Sequence, residues 1–366
     1  MSIEKVPFLD LRVTDDEERL ELLDAVDKVL RHGRIVLGPE VEELERQVAE
    51  RVGRRFAVGV NSGSDALIIA LRALDIGAGD EVIMPALSFV ASANAVSIVG
   101  GQPVYADLAS DLNVDTETIA PLVSPSTKAI MPVHWTGRVC DMDRIMAIAE
   151  RHGLAVVEDA SQAFDATWRG KKAGAFGTLG CFSMNSMKVF ASIGEAGMIV
   201  MDDPALYERC QILRYHGVVN KEYAVSLSQN ARLHTVQAAA LLVRLKRLDS
   251  VISRRREHAD YYNRRLGNAV TVPLEAPLEH HVYYTYTIQS DRRDALKAHL
   301  ETSGIEVKIQ HPLLMPQHPL YADNARGTWE KADRLIKGVL CLPANEKLTD
   351  VQRTRVADTV LAFSNA

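Results

Sequence analysis

The sequence predicts an α/β protein: a mostly parallel sheet with helices on both faces, followed by a smaller C-terminal unit. Three observations predict it. Strand-like and helix-like segments alternate from residue 56 to residue 158, the β-α-β rhythm that a parallel sheet with crossover helices leaves in a sequence. At 366 residues and 47% hydrophobic content, the chain can bury the core of a large domain and a smaller partner. The rhythm then changes near residue 235, where long helical stretches begin.

The first helix is marked by Thr14-Asp15-Asp16-Glu17, a capping box, and by an apolar stripe of Leu22, Leu23, Val26, Val29 and Leu30. Gly33 can close it. A second helix opens at Gly38-Pro39, with proline in its first turn, and Val41, Leu44, Val48 and Val52 form its buried face. After Gly53, residues 56–60 make a short strand. Residues 81–84 (ended by Pro85), 103–106, 129–133 and 154–158 make four more. Residues 141–152 form a helix with Met142, Ile145, Ile148 and Ala149 inward and Gly153 as its stop. Residues 181–183 and 197–201 read as strands antiparallel to each other, because too few residues separate them for a crossover helix. Residues 235–251 and 253–266 are expected to be helical. The remainder alternates strand (282–289), helix (292–302), strand (305–309) and helices around Lys331 and over 351–363. The expected division is a large domain over 13–248 and a small one over 249–366, with residues 1–12 packing on the latter.

Composition excludes several classes. The net charge is −6, and no cluster of five or more basic residues exists, which argues against nucleic acid as a partner. The N-terminal MSIEKVPFLDLR has no apolar core for a signal peptide, and no apolar run reaches the roughly 18 residues of a membrane span. The four cysteines, at 140, 181, 210 and 341, form no C-x-x-C pair, so no zinc site or disulfide framework is expected. No metal site is expected either. The picture is a cytoplasmic enzyme.

Ligands of parallel α/β sheets bind at the carboxyl ends of strands, and four such places stand out. At Asn61-Ser62-Gly63-Ser64-Asp65 a strand gives way to small residues that open a helix; free N–H groups and the Ser64 hydroxyl would cradle an anion. The segment is neither G-x-G-x-x-G nor G-x-x-x-x-G-K-[ST], and taken alone it is better explained as an ordinary N-cap by Ser62 or Ser64. At Glu158-Asp159-Ala160-Ser161-Gln162 two acids end a hydrophobic strand. A buried carboxylate there needs a cation, such as a protonated ring nitrogen; a helix N-cap at Asp159 is the alternative. Lys188 stands among Met184, Met187, Val189 and Phe190. It is either a snorkelling lysine or an amine whose surroundings favour the neutral form, able to form a Schiff base. Phe89, just after a strand, is either core or a platform for a planar ring. Together, an anion cradle, a carboxylate, an aromatic face and such a lysine are the parts that pyridoxal 5'-phosphate needs.

These residues resemble the DegT/DnrJ/EryC1/StrS family of pyridoxal-phosphate aminotransferases, most of which aminate nucleotide-linked keto sugars. The markers are Gly38-Pro39 with its glutamate-rich helix, Asn61 to Leu67, Gly79-Asp80-Glu81-Val82-Ile83 and Glu158-Asp159-Ala160-Ser161-Gln162. Ser183 with Lys188 five residues on, Gly194-Glu195-Ala196-Gly197, and Asn230-Ala231-Arg232-Leu233 with Gln237-Ala238-Ala239 complete the set. The resemblance implies fold type I, the aspartate aminotransferase kind: a seven-stranded mixed sheet in a large domain and a smaller C-terminal α/β domain. It implies Lys188 as Schiff-base lysine and proton shuttle, Asp159 at the pyridine nitrogen, Gln162 near the ring hydroxyl and Phe89 stacked on the ring. Gly63, Ser64 and Ser183 would bind phosphate, joined by Asn230 from a neighbouring subunit, which implies a homodimer with shared sites. Ile35, Ala196, His234 and Asn345 depart from the family pattern at positions that bear on the acceptor.

The resulting expectation is a two-stage transfer from L-glutamate to a keto sugar, most often a nucleotide-linked 3-keto or 4-keto sugar. Arg214, His216, Arg232, Lys308 and His311 are candidates for carboxylate or diphosphate, although exposed basic side chains are mostly solvated surface. The alternatives are a keto-cyclitol acceptor with glutamine as donor, and a cofactor-binding regulatory protein without turnover.

Overall fold

A computed structural model describes residues 5–323 and 325–365. Residues 1–4, part of the N-terminal stretch considered above, lie outside the described residues. Seven strands form the main sheet: β1 (Phe56–Val60), β2 (Glu81–Pro85), β3 (Gln102–Ala106), β4 (Thr127–Ile130), β5 (Ala155–Asp159), β6 (Leu179–Ser183) and β7 (Gly197–Met201). Their spatial order is β1-β7-β6-β5-β4-β2-β3. All neighbours are parallel except β7, which runs antiparallel to β1 and β6. The antiparallel β6–β7 pair is the one expected from the short link between them. Alternation along β5 puts Val156 into one buried cluster and Val157 into another, so the sheet is covered on both faces.

Helices α1 (Asp16–His32) and α2 (Pro39–Val52) follow the pattern read from the sequence, with two adjustments. The cap of α1 is Asp15 rather than Thr14; its carboxylate accepts from the Glu18 N–H at 2.7 Å. Only Leu22 and Val29 of the α1 stripe are buried, while Leu23 and Leu30 are 54% and 64% exposed. In α2 all four expected residues are buried, and Gly53 ends the helix at φ +82°, a conformation that glycine adopts without steric cost.

Helices α3 (Gly63–Ala73), α4 (Val90–Ile98), α5 (Met142–His152) and α6 (Pro204–Arg214) complete the layers around the sheet. The helix expected over 235–251 is two helices, α7 (Thr235–Leu245) and α8 (Leu248–Leu266). The break falls at Lys246-Arg247, where the Arg247 guanidinium turns to Glu21 of α1 at 2.9 Å. The strand expected over 305–309 is reduced to single bridges, Ile305 with Val6 and Lys308 with Cys341. The regular pair in this region is Tyr286–Gln289 with Val339–Leu342, antiparallel. A third buried cluster gathers Val6, Tyr262, Tyr286, Leu296, Leu340 and Val356. Helix α8 links the clusters: Leu248 and Ile252 belong to the first, Ala259 and Leu266 to the third. The boundary expected at 249 falls in its first turn.

Register fixes where a site can form. Val60 pairs with Gly197, Gly197 with Ser183, and Cys181 with Asp159. The ends of β1, β5 and β6 and the start of β7 therefore share one edge. Among the described residues no helix is long and apolar enough to cross a membrane. All four cysteines are buried and unpaired.

Candidate active site

The two acids that end β5 point to opposite faces, as alternation requires. Glu158 is fully buried; it accepts from the N–H groups of Gly174, Phe176 and Gly177 and meets His134 Nε2 at 2.9 Å. Burial pushes its carboxyl up, but the His134 bond and charge and the backbone donors outweigh that and hold it below the usual range. Glu158 is thus a structural anchor. Asp159 is 5% exposed on the other face. Its Oδ2 accepts from the Ser92 hydroxyl at 2.6 Å, and its Oδ1 from the Ser161 N–H at 3.1 Å. Ser88 in turn lies 2.7 Å from Ser92. No helix begins at Asp159, so the N-cap reading falls. Gln162 is buried beside it, its Oε1 accepting from Thr136 N–H at 2.9 Å.

The start of α3 serves both readings given above. Ser62 is the cap, accepting from Asp65 N–H at 3.1 Å, which leaves the Ser64 side chain exposed. Gly63 abuts Ser183 so closely that a Cβ on it would stand 2.6 Å from the Ser183 Cβ. A Cβ on Gly197 would stand 2.2 Å from the Ser62 carbonyl oxygen. Side-chain-free backbone at Gly63 and Gly197 thus brings a helix start, the end of β6 and the start of β7 into one cradle.

Lys188 lies between β6 and β7, half-buried, with Nζ 4.5 Å from the centre of the Tyr284 ring. Phe89 is not core: it is 52% exposed at the N-cap of α4, the helix whose Ser92 holds Asp159. Its ring lies 5.3 Å from that of His311, which lies 5.1 Å from Trp135. Burial first, then the positive charges of Lys188 and His318, push the His311 imidazole down to about 4. His311 is therefore neutral near pH 7 and cannot offer the charge for which it was considered; it keeps only a hydrogen-bonding ring. Contacts run from Asp159 through Ser92 and α4 to Phe89 and His311, and the Lys188 charge is near enough to help push the His311 imidazole down.

The remaining candidates separate. Arg214 is a correction: 8% exposed, it donates to Glu45 and to the Gly59 carbonyl at 3.0 Å. Those bonds tie α6 to α2 and β1 rather than reaching a substrate. Arg232 forms a bridge with Val60 at the open edge of β1, its guanidinium over the Tyr215 ring and its Nε donating to Asn230 Oδ1 at 2.8 Å. Asn230 is exposed beside Asn61, and His216 is exposed nearby at φ +59°. Lys308 rests over the Phe8 ring and bonds Cys341 by its backbone. Of the departures, Ala196 and Asn345 are buried; Asn345 ties the N-terminal segment through the Phe8 carbonyl at 3.1 Å. Ile35 and His234 are exposed neighbours. Sequence reading missed Ser92, His134, Trp135 and Tyr284. The only signal for Ser92 is its spacing of four from Ser88, which stacks two hydroxyls on one side of a helix start.

The donor set fits pyridoxal 5'-phosphate: a cradle that a Cβ would fill, an acid held by two donors, a buried amide, an exposed ring and an amine. The sequence matches the DegT/DnrJ/EryC1/StrS aminotransferase family over residues 16–361. The pleiotropic regulatory protein of Geobacillus stearothermophilus is 37% identical over 365 residues, 98% of either chain. The dTDP-3-amino-3,4,6-trideoxy-α-D-glucose transaminase of Streptomyces venezuelae is 39% identical over 361 residues, 97% of this chain and 95% of that one. The UDP-N-acetyl-3-dehydro-α-D-glucosamine 3-aminotransferase of Acidithiobacillus ferrooxidans is 39% identical over 360 residues, 97% of each. The crystal structure of S. venezuelae DesV in complex with a ketimine intermediate superposes with a TM-score of 0.96 at 38% identity, covering 99% of both chains. The seven-stranded mixed sheet is thus the fold expected from the resemblance. Sequence and fold agree that this chain is an aminotransferase and belongs to the DegT/DnrJ/EryC1/StrS family.

Proposed function

We propose that the protein is a pyridoxal-phosphate transaminase that moves the amino group of L-glutamate to a nucleotide-linked keto sugar, working in the cytoplasm as a homodimer. The observation that supports this reading is the run of contacts from Asp159 through Ser92 to Phe89 and His311, with the Lys188 charge felt at His311, beside the Gly63–Ser183 cradle. The acceptor class follows what the Streptomyces and Acidithiobacillus relatives are named for.

When bound, pyridoxal phosphate supplies an electron-accepting ring that makes the α-hydrogen of the donor acidic. Asp159 holds the proton on the ring nitrogen, and Ser92 and the Ser161 N–H keep its carboxyl in place. Gln162 presents its amide to the ring hydroxyl while Thr136 fixes its oxygen. Phe89 covers one ring face. The Gly63 N–H and the hydroxyls of Ser64 and Ser183 bind phosphate, joined by Asn230 of the partner subunit. With the cofactor bound, the Lys188 amine would take the proton from the glutamate α-carbon as a base and pass it on, as an acid, to the cofactor carbon. In the second stage it would move a proton the opposite way, from that carbon to the sugar carbon that carried the ketone. Glutamate leaves as 2-oxoglutarate and the keto sugar as an amino sugar. Arg232 and His216, at the rim, are the remaining candidates for carboxylate or diphosphate.

The test is a screen of nucleotide-linked 3-keto and 4-keto sugars and a keto-cyclitol, each with glutamate or glutamine, read by release of the 2-oxo acid. Release with a nucleotide-linked sugar and glutamate is expected. Lys188→Ala should abolish it, and near-normal turnover in that variant would overturn the assignment. Adding glutamate alone should remove the absorption of the lysine–cofactor bond, whereas a passive regulatory binder would keep it.

A further inference from the structure

We propose that Tyr284 is a positioning residue for the reaction: the face of its ring seats the Lys188 ammonium whenever that amine is not covalently engaged. The proposal rests on the role given to Lys188 above. The first support is what surrounds Nζ. It lies 4.5 Å from the ring centre of Tyr284, and among the described residues no carboxylate or carbonyl bonds to it. A π face attracts a cation through its quadrupole. That attraction vanishes when the amine loses its proton. The ring therefore holds the ammonium and lets go of the neutral amine. A carboxylate in the same place would grip the ammonium by an ion pair and slow its discharge.

The second support is how the ring is held. Tyr284 lies in no regular element. It follows Tyr283, which has φ +48°, a conformation rare for a bulky residue and kept only where surrounding structure imposes it. Here several bonds do so. Val282 N–H donates to Gly137 O at 3.1 Å, Thr285 N–H to Thr136 O at 3.2 Å, and Tyr283 N–H to His281 Nδ1 at 2.8 Å. The rings of His281 and Tyr283 stack at 4.0 Å and 7°. Arg255, 3% exposed, reaches across from α8 and donates to the carbonyls of Tyr283 and Tyr284 at 3.2 and 3.3 Å. Its other nitrogen pairs with Glu346 at 2.7 Å. A Cβ on Gly137 would meet the Tyr284 backbone nitrogen at 2.8 Å and the Gln162 carbonyl oxygen at 3.1 Å. The turn that aims Tyr284 at Lys188 is therefore pressed against the loop that carries Gln162. Such bracing is more than a solvated tyrosine needs, and it fixes the backbone from which the ring meets the Lys188 amine.

The test uses full-length, cofactor-free protein and does not depend on turnover. The rate of reductive methylation at Lys188 is measured by peptide mass spectrometry at fixed pH, with Lys308 as internal control. Tyr284→Leu should raise the Lys188 rate about three- to tenfold, the range a cation–π contact of this kind supports, and leave Lys308 unchanged. Tyr284→Phe, which keeps the ring face, should behave as the natural protein. A trifluorinated phenylalanine at 284, the same shape with its π face drained, should behave as leucine. Melting curves check that each variant folds; if the leucine variant does not, the two phenylalanines decide the matter. Equal Lys188 rates in those two, or no change in a folded Tyr284→Leu, would overturn the proposal. The transaminase reading fails separately, in the sugar screen.

Discussion

Two donors converge on the Asp159 carboxyl, and one of them, Ser92, is itself supported by Ser88. A hydrogen bond to a charged group contributes about 1.5–3 kcal/mol. Ser92→Ala should therefore lower kcat by roughly 10- to 100-fold, while Ser88→Ala, one step removed, should lower it less. Steady-state kinetics beside melting curves check this: equal losses in the two variants would mean that the pair only packs. Arg214 makes the opposite prediction. Removing one partner of a buried ion pair costs about 3–5 kcal/mol, so Arg214→Met should lower stability by that order and leave the acceptor KM unchanged. Denaturant unfolding and kinetics measure the two effects. At this scale the sequence was legible where chemistry is local. The Asp159-to-Gln162 spacing and Lys188 after Ser183 each run from a strand end into the loop that follows it. It was not legible where partners are distant in the chain: Ser92 meets Asp159 from 67 residues away, and Glu45 claims Arg214 from 169. Nothing local tells an arginine bound to a structural acid from one free for a substrate.

Elements were read best where their ends are chemical signals. Gly38-Pro39, Gly53, Asp141 and Gly153 all bound helices as expected, because capping depends on residues within one turn. The break at Lys246-Arg247 carried no such signal; it answers to Glu21, on another helix. Gly63 shows what an element boundary contributes to the site. Gly63→Ala would drive a methyl into Ser183, and overpacking of this kind costs about 1–3 kcal/mol. Cofactor affinity, followed by absorbance titration, should weaken roughly 5- to 100-fold, and unaltered affinity would show that the cradle is not the phosphate site. The contact between α8 and the C-terminal helix (Asp350–Ser364) adds a dependence on pH. His258 of α8, fully buried, is pushed down from 6.5 to about 4 by burial and then by Arg254 and Arg353, with Asp350 and Glu257 opposing. Between those two values the unfolded chain binds the proton more readily, so stability is full above pH 6.5 and drains away as pH falls to about 4. His258→Gln should flatten that decline in melting temperature without removing it, since His311 titrates in the same window.

For the molecule as a whole, the alternation of strands and helices was enough to predict a parallel sheet, but not the order β1-β7-β6-β5-β4-β2-β3. Order depends on how crossovers stack, which local pattern does not record. The surface raises the question that a single chain leaves open. Leu23 and Leu30 of the α1 stripe are 54% and 64% exposed, and Leu20 beside them is 64% exposed, where amphipathic design would bury such residues. The arm after α6 carries Tyr223, Val225 and Leu227 at 65%, 62% and 87% exposure, and ends at Asn230 and Arg232 beside β1. Apolar surface of this extent on two elements suits a second copy. A two-fold pairing would place the arm of one subunit at the other's cradle, the arrangement proposed for Asn230. Mixing decides it. Lys188→Ala and Asn230→Ala proteins, each inactive or weak alone, are co-expressed with different tags and the mixed dimer is isolated. In that dimer one of the two sites receives an intact lysine from one subunit and an intact asparagine from its partner. Activity should therefore return in the mixed species and in neither parent. If each site were built from one chain, both sites of the mixed dimer would stay defective, so absence of recovery in a stable mixed dimer would remove the shared site while leaving the chemistry of Lys188 and Asp159 untouched.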